Sequence, residues 1–206
     1  MSSPPPLLPI AVFLSGGGRT LQNLIRCRDI GELPVDFRLA ISSSPAAAGL
    51  QIAAAAGIPT QVIRKSDHPD DAEYQEAMFG PCREAGAELV VMAGFLKHVR
   101  IPTDFEGKVL NIHPSLIPAF CGPGMYGRSV HQAALAKGVQ ISGCTVHFVD
   151  NHYDNGPIVL QRACPVEPDD TPESLAARVF QEECRALPEA IRRFAAGEYR
   201  ASSAGS

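Results

Sequence analysis

The stretch Ile10-Ala-Val-Phe-Leu-Ser-Gly-Gly-Gly-Arg-Thr-Leu21 decides how this chain is expected to fold. It opens with five apolar residues, which are typical of a buried strand, and runs into three consecutive glycines. A helical pattern follows, with Leu21, Leu24 and Ile25 on one face, and ends near Arg28. A buried strand that turns directly into a helix is the first unit of a parallel α/β sheet.

The same alternation continues along the chain and predicts its architecture. Strands are predicted at 37–42, 59–63, 88–93 and 108–113, with helices at 46–56 and 70–85 between them. After a long Pro/Gly-rich loop, the pattern predicts a helix at 130–137, strands at 141–149 and 157–165, and a helix from Thr171 to Ala195. The fold class is therefore α/β: a doubly wound, mostly parallel open sheet with an antiparallel C-terminal strand pair and a long C-terminal helix.

Length, charge and cysteine usage narrow the class of protein. At 206 residues, one domain is expected over 10–197, between a disordered leader at 1–9 and a flexible tail at 198–206. The net charge of −4 offers no footprint for nucleic acid or an anionic membrane surface. The best apolar run, Leu89–Leu96, is far shorter than the ~18 residues of a membrane span. Scattered cysteines without a Cys-x-x-Cys pair, and no signal peptide, predict a cytoplasmic protein.

The glycine loop is the first candidate site. Three glycines between a strand and a helix let backbone N–H groups approach a phosphate at the helix N-terminus. The loop does not match a dinucleotide fingerprint, because Leu21 stands where a third Gly or Ala is required. The alternatives are a phosphate-monoester site, to which Arg19 and Thr20 would add donors, and a tight turn that binds no ligand.

Asn111-Ile-His-Pro-Ser115 is the second candidate. The period of a strand places Asn111 and His113 on one face at its C-terminal end, and Pro114 then ends the ladder. A carboxamide beside an imidazole suits a carbonyl that acquires negative charge, because Asn can donate to the oxygen and His can donate or move a proton. The alternative is a strand end whose polar groups only satisfy local backbone.

Asp154 lies in an Asp-Asn-Gly turn that follows a strand pattern containing His147. Such a turn is ordinary loop chemistry, and the alternative is a carboxylate that orients the imidazole of His113. His147 and His152 span a strand end with a spacing that does not suit a metal ion, so no metal site is predicted.

Glu183 falls on the apolar stripe of the last helix, in register with Leu175, Val179 and Leu187. A carboxylate on such a face is costly unless it meets a partner or a ligand. The sequence leaves open whether Glu183 binds a ligand or lies at the solvent edge of the stripe.

Five motifs taken together are similar to one family. They are Leu14-Ser-Gly-Gly-Gly-Arg-Thr-Leu-Gln-Asn23, Ala93-Gly-Phe-Leu-Lys97, Asn111-Ile-His-Pro-Ser-Leu-Ile-Pro118, Gly143-Cys-Thr-Val-His-Phe148 and Asp154-Asn-Gly-Pro-Ile-Val-Leu-Gln161. In this order, over about residues 10–197, the chain resembles the phosphoribosylglycinamide formyltransferase family of the folate-dependent formyltransferase superfamily. The resemblance implies a Rossmann-like formyltransferase fold and an enzyme of purine biosynthesis. It implies transfer of a formyl group from 10-formyltetrahydrofolate to the amine of glycinamide ribonucleotide, without a metal.

The resemblance also implies roles for three groups of residues. The positions that match the family's catalytic residues are Asn111, His113 and Asp154. Those that match its ribonucleotide and phosphate contacts are Gly18, Arg19, Thr20 and Glu183. Those that match its folate contacts are Leu96, Lys97, His98, Val99, Asn111, Asp150, Asn151, His152, Tyr153 and Asp154.

Some positions depart from the family pattern, and other functions compete. The family often has Ser-Asn at Arg19-Thr20, Arg at Lys97 and His at Cys184, and an Arg that commonly touches folate aligns near Asp71. A 10-formyltetrahydrofolate hydrolase or a formyltransferase for another small amine shares the catalytic trio but is expected to carry an added domain. A folate- or nucleotide-binding module without activity need not keep the trio. The partners expected are small molecules, and the sequence leaves a monomer and a homodimer open.

Overall fold

The computed structural model describes residues 6–199. The chain divides into two compact units, Met1–Ile112 and His113–Ser206. The division falls inside a strand and not in a linker, so the single domain expected over 10–197 stays a prediction. Residues 1–5 of the expected leader and 200–206 of the expected tail lie outside the described part. No helix within residues 6–199 is long and apolar enough to cross a membrane.

The first unit is a sheet with helical connections. Its elements are β1 (Leu8–Leu14), α1 (Arg19–Asp29), β2 (Val35–Ser42), α2 (Gly49–Ala55), β3 (Thr60–Val62), α3 (Asp71–Glu84), β4 (Leu89–Met92) and β5 (Val109–His113), of which the last residue belongs to the second unit. These strands lie in the order β3-β2-β1-β4-β5, and their pairs are parallel. From β1, the next strands along the chain, β2 and β3, are added on one side of the sheet, and β4 and β5 are added on the other side. The sheet is therefore doubly wound, which confirms the predicted fold class.

The core of the first unit forms around β1. The ring of Phe13 packs against Phe79 and Phe95, with centroids 5.5 Å apart in both pairs. The strand begins at Leu8, earlier than the predicted Ile10, because Leu8 and Pro9 are in register with β2. These two residues of the expected leader are therefore part of the sheet.

The second unit is an antiparallel hairpin packed against a long helix. Its elements are α4 (Arg128–Lys137), β6 (Ile141–Phe148), β7 (Ile158–Pro165) and α5 (Pro172–Ala195). The backbones of β6 and β7 approach so closely at Gly143 that a Cβ there would lie 2.0 Å from the Arg162 carbonyl oxygen. Helix α5 begins with a reciprocal cap between Thr171 and Ser174 and packs on both strands. The strand pair and the C-terminal helix were both predicted.

Candidate active site

The glycine loop joins β1 to α1. Gly18 precedes the helix with φ 74°, a left-handed conformation that glycine adopts at little cost. No side chain caps this helix start, and its first turn holds no acidic residue. The helix N-terminus, with its partial positive charge, is therefore open to an anion. Arg19 is exposed beside it and Thr20 is half-buried.

Gly18 also packs directly against α2. A Cβ on Gly18 would lie 2.4 Å from the Gly49 Cα, closer than two carbon atoms can approach without displacement. A Cβ at Gly16 or Gly17 would instead meet no atom within 4 Å. Only the third glycine is thus required by packing, and the other two leave open space at the helix start.

The segment Leu96–Val99, predicted to contact folate, follows β4 beside the glycine loop. The Leu96 backbone N–H donates to Ser15 Oγ at 2.9 Å, which ties the segment to the end of β1. The Leu96 side chain is 55% exposed and Lys97 is exposed as well, whereas His98 is half-buried and Val99 is buried. A ligand at this segment can therefore meet the side chains of Leu96 and Lys97, whereas Val99 is almost inaccessible.

Two catalytic candidates meet in the second unit. His113 Nδ1 lies 3.6 Å from Asp154 Oδ2, a distance at which opposite charges attract although it is too long for a hydrogen bond. His113 Nε2 lies 2.9 Å from the carbonyl oxygen of Phe120, and this nitrogen must carry the proton because a carbonyl only accepts. The predicted pairing of Asp154 with His113 is thus present.

Asp154 lies between two imidazoles. Its Oδ1 atom is 3.7 Å from His147 Nε2, while its Oδ2 atom accepts a hydrogen bond from the Gly122 N–H at 2.8 Å. His147 Nδ1 donates to the carbonyl of its neighbour Phe148 at 2.8 Å, and this fixes the ring with Nε2 toward the carboxylate. Burial lowers the pKa of His147, and the charge of Asp154 opposes that effect. The sequence did not predict this second histidine contact.

Asn111 belongs to β5, two positions before His113 and on the same face of that strand. It is half-buried, and His113 is buried. The two side chains thus leave the C-terminal end of one strand in the same direction, as predicted. The peptide Ile117–Pro118, in the loop that follows, is cis.

The loop after His113 is held by side chains of the hairpin. Thr145 Oγ1 donates to the Ser115 carbonyl at 2.7 Å and accepts from the Ile117 N–H at 3.0 Å. Gln161, paired with Thr145 across the hairpin, donates to the Ile117 carbonyl at 3.0 Å. These bonds fix the start of the loop whose later residue, Phe120, accepts from His113.

The loop over residues 150–153, also predicted to contact folate, is ordered by Asp150. Its carboxylate accepts from the His152 N–H at 2.8 Å and from the Asn155 amide at 2.9 Å. The side chains of Asn151, His152 and Tyr153 are exposed, so they are accessible to a ligand.

Glu183 is half-buried on α5, whereas Leu175, Val179 and Leu187 on the same stripe are fully buried. It therefore lies toward the edge of that stripe. Its charge helps to raise the pKa of the Cys144 thiol, an effect dominated by burial. Within residues 6–199, no group of three or more His, Cys, Asp and Glu side chains is arranged to hold a metal ion.

His131 on α4 is a buried residue of this region that the sequence analysis missed. Its Nδ1 atom has no hydrogen-bond partner among the described residues, and burial and the charge of His113 both lower its pKa. The available signal was the spacing of Val130, His131 and Ala134, which places the histidine on the buried face of its helix.

Comparison with known proteins agrees with this fold. Residues 8–191 match the model of the formyl transferase family. The chain is 39% identical to the chloroplastic phosphoribosylglycinamide formyltransferase of Vigna unguiculata over 88% of its length, but spans only 59% of that protein. It is 35% identical to the phosphoribosylglycinamide formyltransferase of Haemophilus influenzae, over 93% of this chain and 89% of the other. The structure of glycinamide ribonucleotide transformylase 1 from Symbiobacterium toebii superposes with a TM-score of 0.89 and 38% identity, over 96% of this chain and 92% of that one.

The match to the family model over residues 8–191 defines the class: the chain belongs to the formyl transferase family. Within that family the relatives just described are phosphoribosylglycinamide formyltransferases. The family predicted from the five sequence motifs is confirmed.

Proposed function

We propose that this protein transfers the formyl group of 10-formyltetrahydrofolate to the amine of glycinamide ribonucleotide. The observation that carries the proposal is the pairing of His113 with Asp154. His113 is the last residue of β5, and the same strand presents Asn111 two positions earlier. Acyl transfer to an amine requires a donor for the carbonyl oxygen and a route for a proton. A carboxamide, an imidazole and a carboxylate supply both.

Each member of the trio has a distinct task in the proposed reaction. The Asn111 carboxamide donates a hydrogen bond to the formyl oxygen as that oxygen gains negative charge. Asp154 holds the His113 ring through charge while Phe120 holds its other nitrogen. When both ring nitrogens of His113 carry protons, Nε2 stays on the Phe120 carbonyl, and Nδ1, which lies 3.6 Å from Asp154 and is not hydrogen-bonded to it, donates to the oxygen together with Asn111. Asp154 accepts the proton that the amine loses and returns one to the folate nitrogen, through water.

The glycine loop is the proposed site of the ribonucleotide phosphate. The uncapped start of α1 supplies N–H donors, and Gly16 and Gly17 leave room for close approach of the phosphate. Arg19 and Thr20 add side-chain donors in the first turn. Glu183, which lies in the second unit, is proposed to contact the same ribonucleotide.

The proposed folate contacts are residues 96–99, Asn111 and residues 150–154. Bound there, 10-formyltetrahydrofolate supplies the activated formyl group. The segments fit such a ligand, because each exposes a large side chain, Leu96 at 55% and Tyr153 at 53%, on a backbone fixed by hydrogen bonds. Large exposed side chains of this kind suit contact with a flat ring system.

A reducing, cytoplasmic setting is part of the proposal. It is supported by the six cysteines, none of which forms a disulfide bond in the described part of the chain. A mild negative net charge likewise fits a protein whose partners are small molecules.

The deciding experiment incubates the protein with 10-formyltetrahydrofolate, with and without glycinamide ribonucleotide, and follows the folate absorbance. We expect turnover only when both substrates are present. Turnover without the ribonucleotide would make the protein a hydrolase. Turnover with another amine in place of the ribonucleotide would make it a different formyltransferase.

A further inference from the structure

We propose that Ser15 is a positioning residue, whose single hydroxyl group holds both substrate loops of the first unit. This inference rests on the proposed function, because it takes the glycine loop as the phosphate site and Leu96–Val99 as a folate segment. Ser15 does not touch the reacting atoms in this proposal. It acts by fixing the two pieces of backbone to which the substrates bind.

Ser15 is the first residue after β1, and three strand ends meet at it. Its Oγ atom accepts the Leu96 N–H at 2.9 Å, just after β4, and lies 2.7 Å from Ser43 Oγ, just after β2. Its backbone N–H donates to the Gly94 carbonyl at 3.1 Å. A serine hydroxyl has one donor and two acceptor sites, so it can bond Leu96 and Ser43 at the same time.

The Ser15 hydroxyl lies at a point of the sheet where a small change in backbone position affects ligand binding. It lies where the strand order reverses, between β1 and β4, and ligands of open α/β sheets bind at such a point. At the ends nearest Ser15, packing does little to fix the two loops, because Leu96 is largely exposed and Gly16 and Gly17 have open space around them, whereas the far ends are packed at Val99 and Gly18. Hydrogen bonds therefore set the position of the backbone next to Ser15.

Two serine-to-alanine substitutions separate the two bonds. Ser15→Ala removes the bonds to both Leu96 and Ser43. Ser43→Ala removes only the bond between the two serines and leaves Leu96 attached, so it is the matched control. Because a net hydrogen bond contributes about 0.5–1.5 kcal/mol, each loosened loop should bind its ligand about twofold to twelvefold more weakly.

Dissociation constants measured by titration calorimetry test the proposal, with tetrahydrofolate and glycinamide ribonucleotide as the probes. We expect Ser15→Ala to weaken both ligands and Ser43→Ala to weaken only the ribonucleotide. We also expect kcat at saturating substrates to stay within about twofold for both variants. Unchanged tetrahydrofolate binding in Ser15→Ala, or equal weakening of it in Ser43→Ala, would overturn the proposal.

Amide hydrogen exchange of Leu96 separates this proposal from the proposed function. We expect faster exchange at Leu96 in Ser15→Ala and wild-type exchange in Ser43→Ala, with neither ligand present. Unchanged exchange in Ser15→Ala overturns the anchoring role, whatever the protein binds. If the wild-type protein binds neither probe while exchange behaves as expected, it is the proposed function that fails, and with it the role of Ser15 toward these ligands.

Discussion

Asp154 is the residue at which the polar contacts of the second unit converge. Its carboxylate faces His113 and His147 and accepts the Gly122 N–H, while its backbone has φ 50°. Asp and Asn tolerate this left-handed conformation better than most residues. Asn is therefore the substitution that removes the charge with least strain, and Ala would confound loss of charge with loss of fold.

The proposed catalytic trio gives the first prediction. We expect Asn111→Ala, His113→Ala and Asp154→Asn each to lower kcat by about 100-fold or more with modest changes in KM, since each removes an oxygen donor or a proton-transfer group. Steady-state absorbance assays at saturating substrates measure this. Asp169→Asn, which neutralises an exposed carboxylate, is the control and should keep full activity.

Pairs of these substitutions test whether the trio acts as a unit. The loss in kcat of a double variant should be clearly smaller than the combined losses of its two single variants. A group that acts through a partner contributes little to the rate once that partner has been removed. If Asp154→Asn keeps kcat within about tenfold of wild type across pH 6–9, Asp154 is only a turn residue.

His131 gives a prediction about pH. The pKa of His131 in the folded protein lies below the ordinary 6.5. As the pH falls through 6.5, His131 therefore takes up a proton in the unfolded chain before it does so in the folded protein. This favours unfolding by up to about 1.4 kcal/mol per pH unit. We expect His131→Leu to lose less stability than wild type between pH 7 and pH 5 in urea unfolding. Parallel curves for the two proteins would contradict this.

At the scale of elements, the junction of β1 with α1 predicts opposite outcomes for neighbouring glycines. Gly17→Ala adds a methyl group in open space, so Tm should be unchanged or slightly raised while KM for the ribonucleotide increases. Gly18→Ala should lower Tm, because its methyl meets Gly49 and its φ is positive. Thermal melts measure the two Tm values, and steady-state assays measure KM for each substrate. An unchanged ribonucleotide KM in a stable Gly17→Ala variant would show that the phosphate does not bind at the glycine loop.

The hairpin predicts a different kind of effect. Thr145→Val keeps the shape of the side chain but removes the hydroxyl that bonds Ser115 and Ile117. We expect kcat to fall more than tenfold with little change in KM, because the loop that carries the Phe120 carbonyl would lose its register with His113. Thr145→Ser keeps the hydroxyl and should restore most of the rate. If Thr145→Ser is as slow as Thr145→Val, the methyl group matters and the hydroxyl does not.

The sequence predicted elements better than contacts. Strand β1 and the pair Asn111/His113 were predictable because period and apolar runs are local properties. The Phe120 carbonyl and His147 were not, because one is a backbone group and the other faces a carboxylate in a separate loop. Glu183 was predictable only in part. The apolar stripe of α5 follows from the local pattern, but the position of Glu183 at the edge of that stripe depends on which residues pack against the helix.

At the scale of the whole molecule, the division within β5 bears on how the chain unfolds. The boundary lies between Ile112 and His113, both buried and both in one strand, whereas separate domains meet at exposed linkers. We therefore expect one cooperative transition, with equal calorimetric and van't Hoff enthalpies. Two resolved transitions would show that the compact units are separate domains and that the prediction of one domain over 10–197 is wrong.

The approach of Gly18 to Gly49 also affects how a saturation mutagenesis map of this protein should be interpreted. Gly18 is expected to tolerate almost no replacement and Gly49 few, and a map scored by growth alone would then rank Gly18 with Asn111 and His113. The expected causes differ: a side chain at Gly18 lowers the amount of folded protein, whereas a change at His113, under the proposed function, slows catalysis. Measuring protein abundance alongside growth separates loss of folded protein from loss of activity. The close contact between Gly18 and Gly49 can be relieved only by changing several residues at once, so a library should vary both glycines together with Leu14, whose side chain adjoins Gly49.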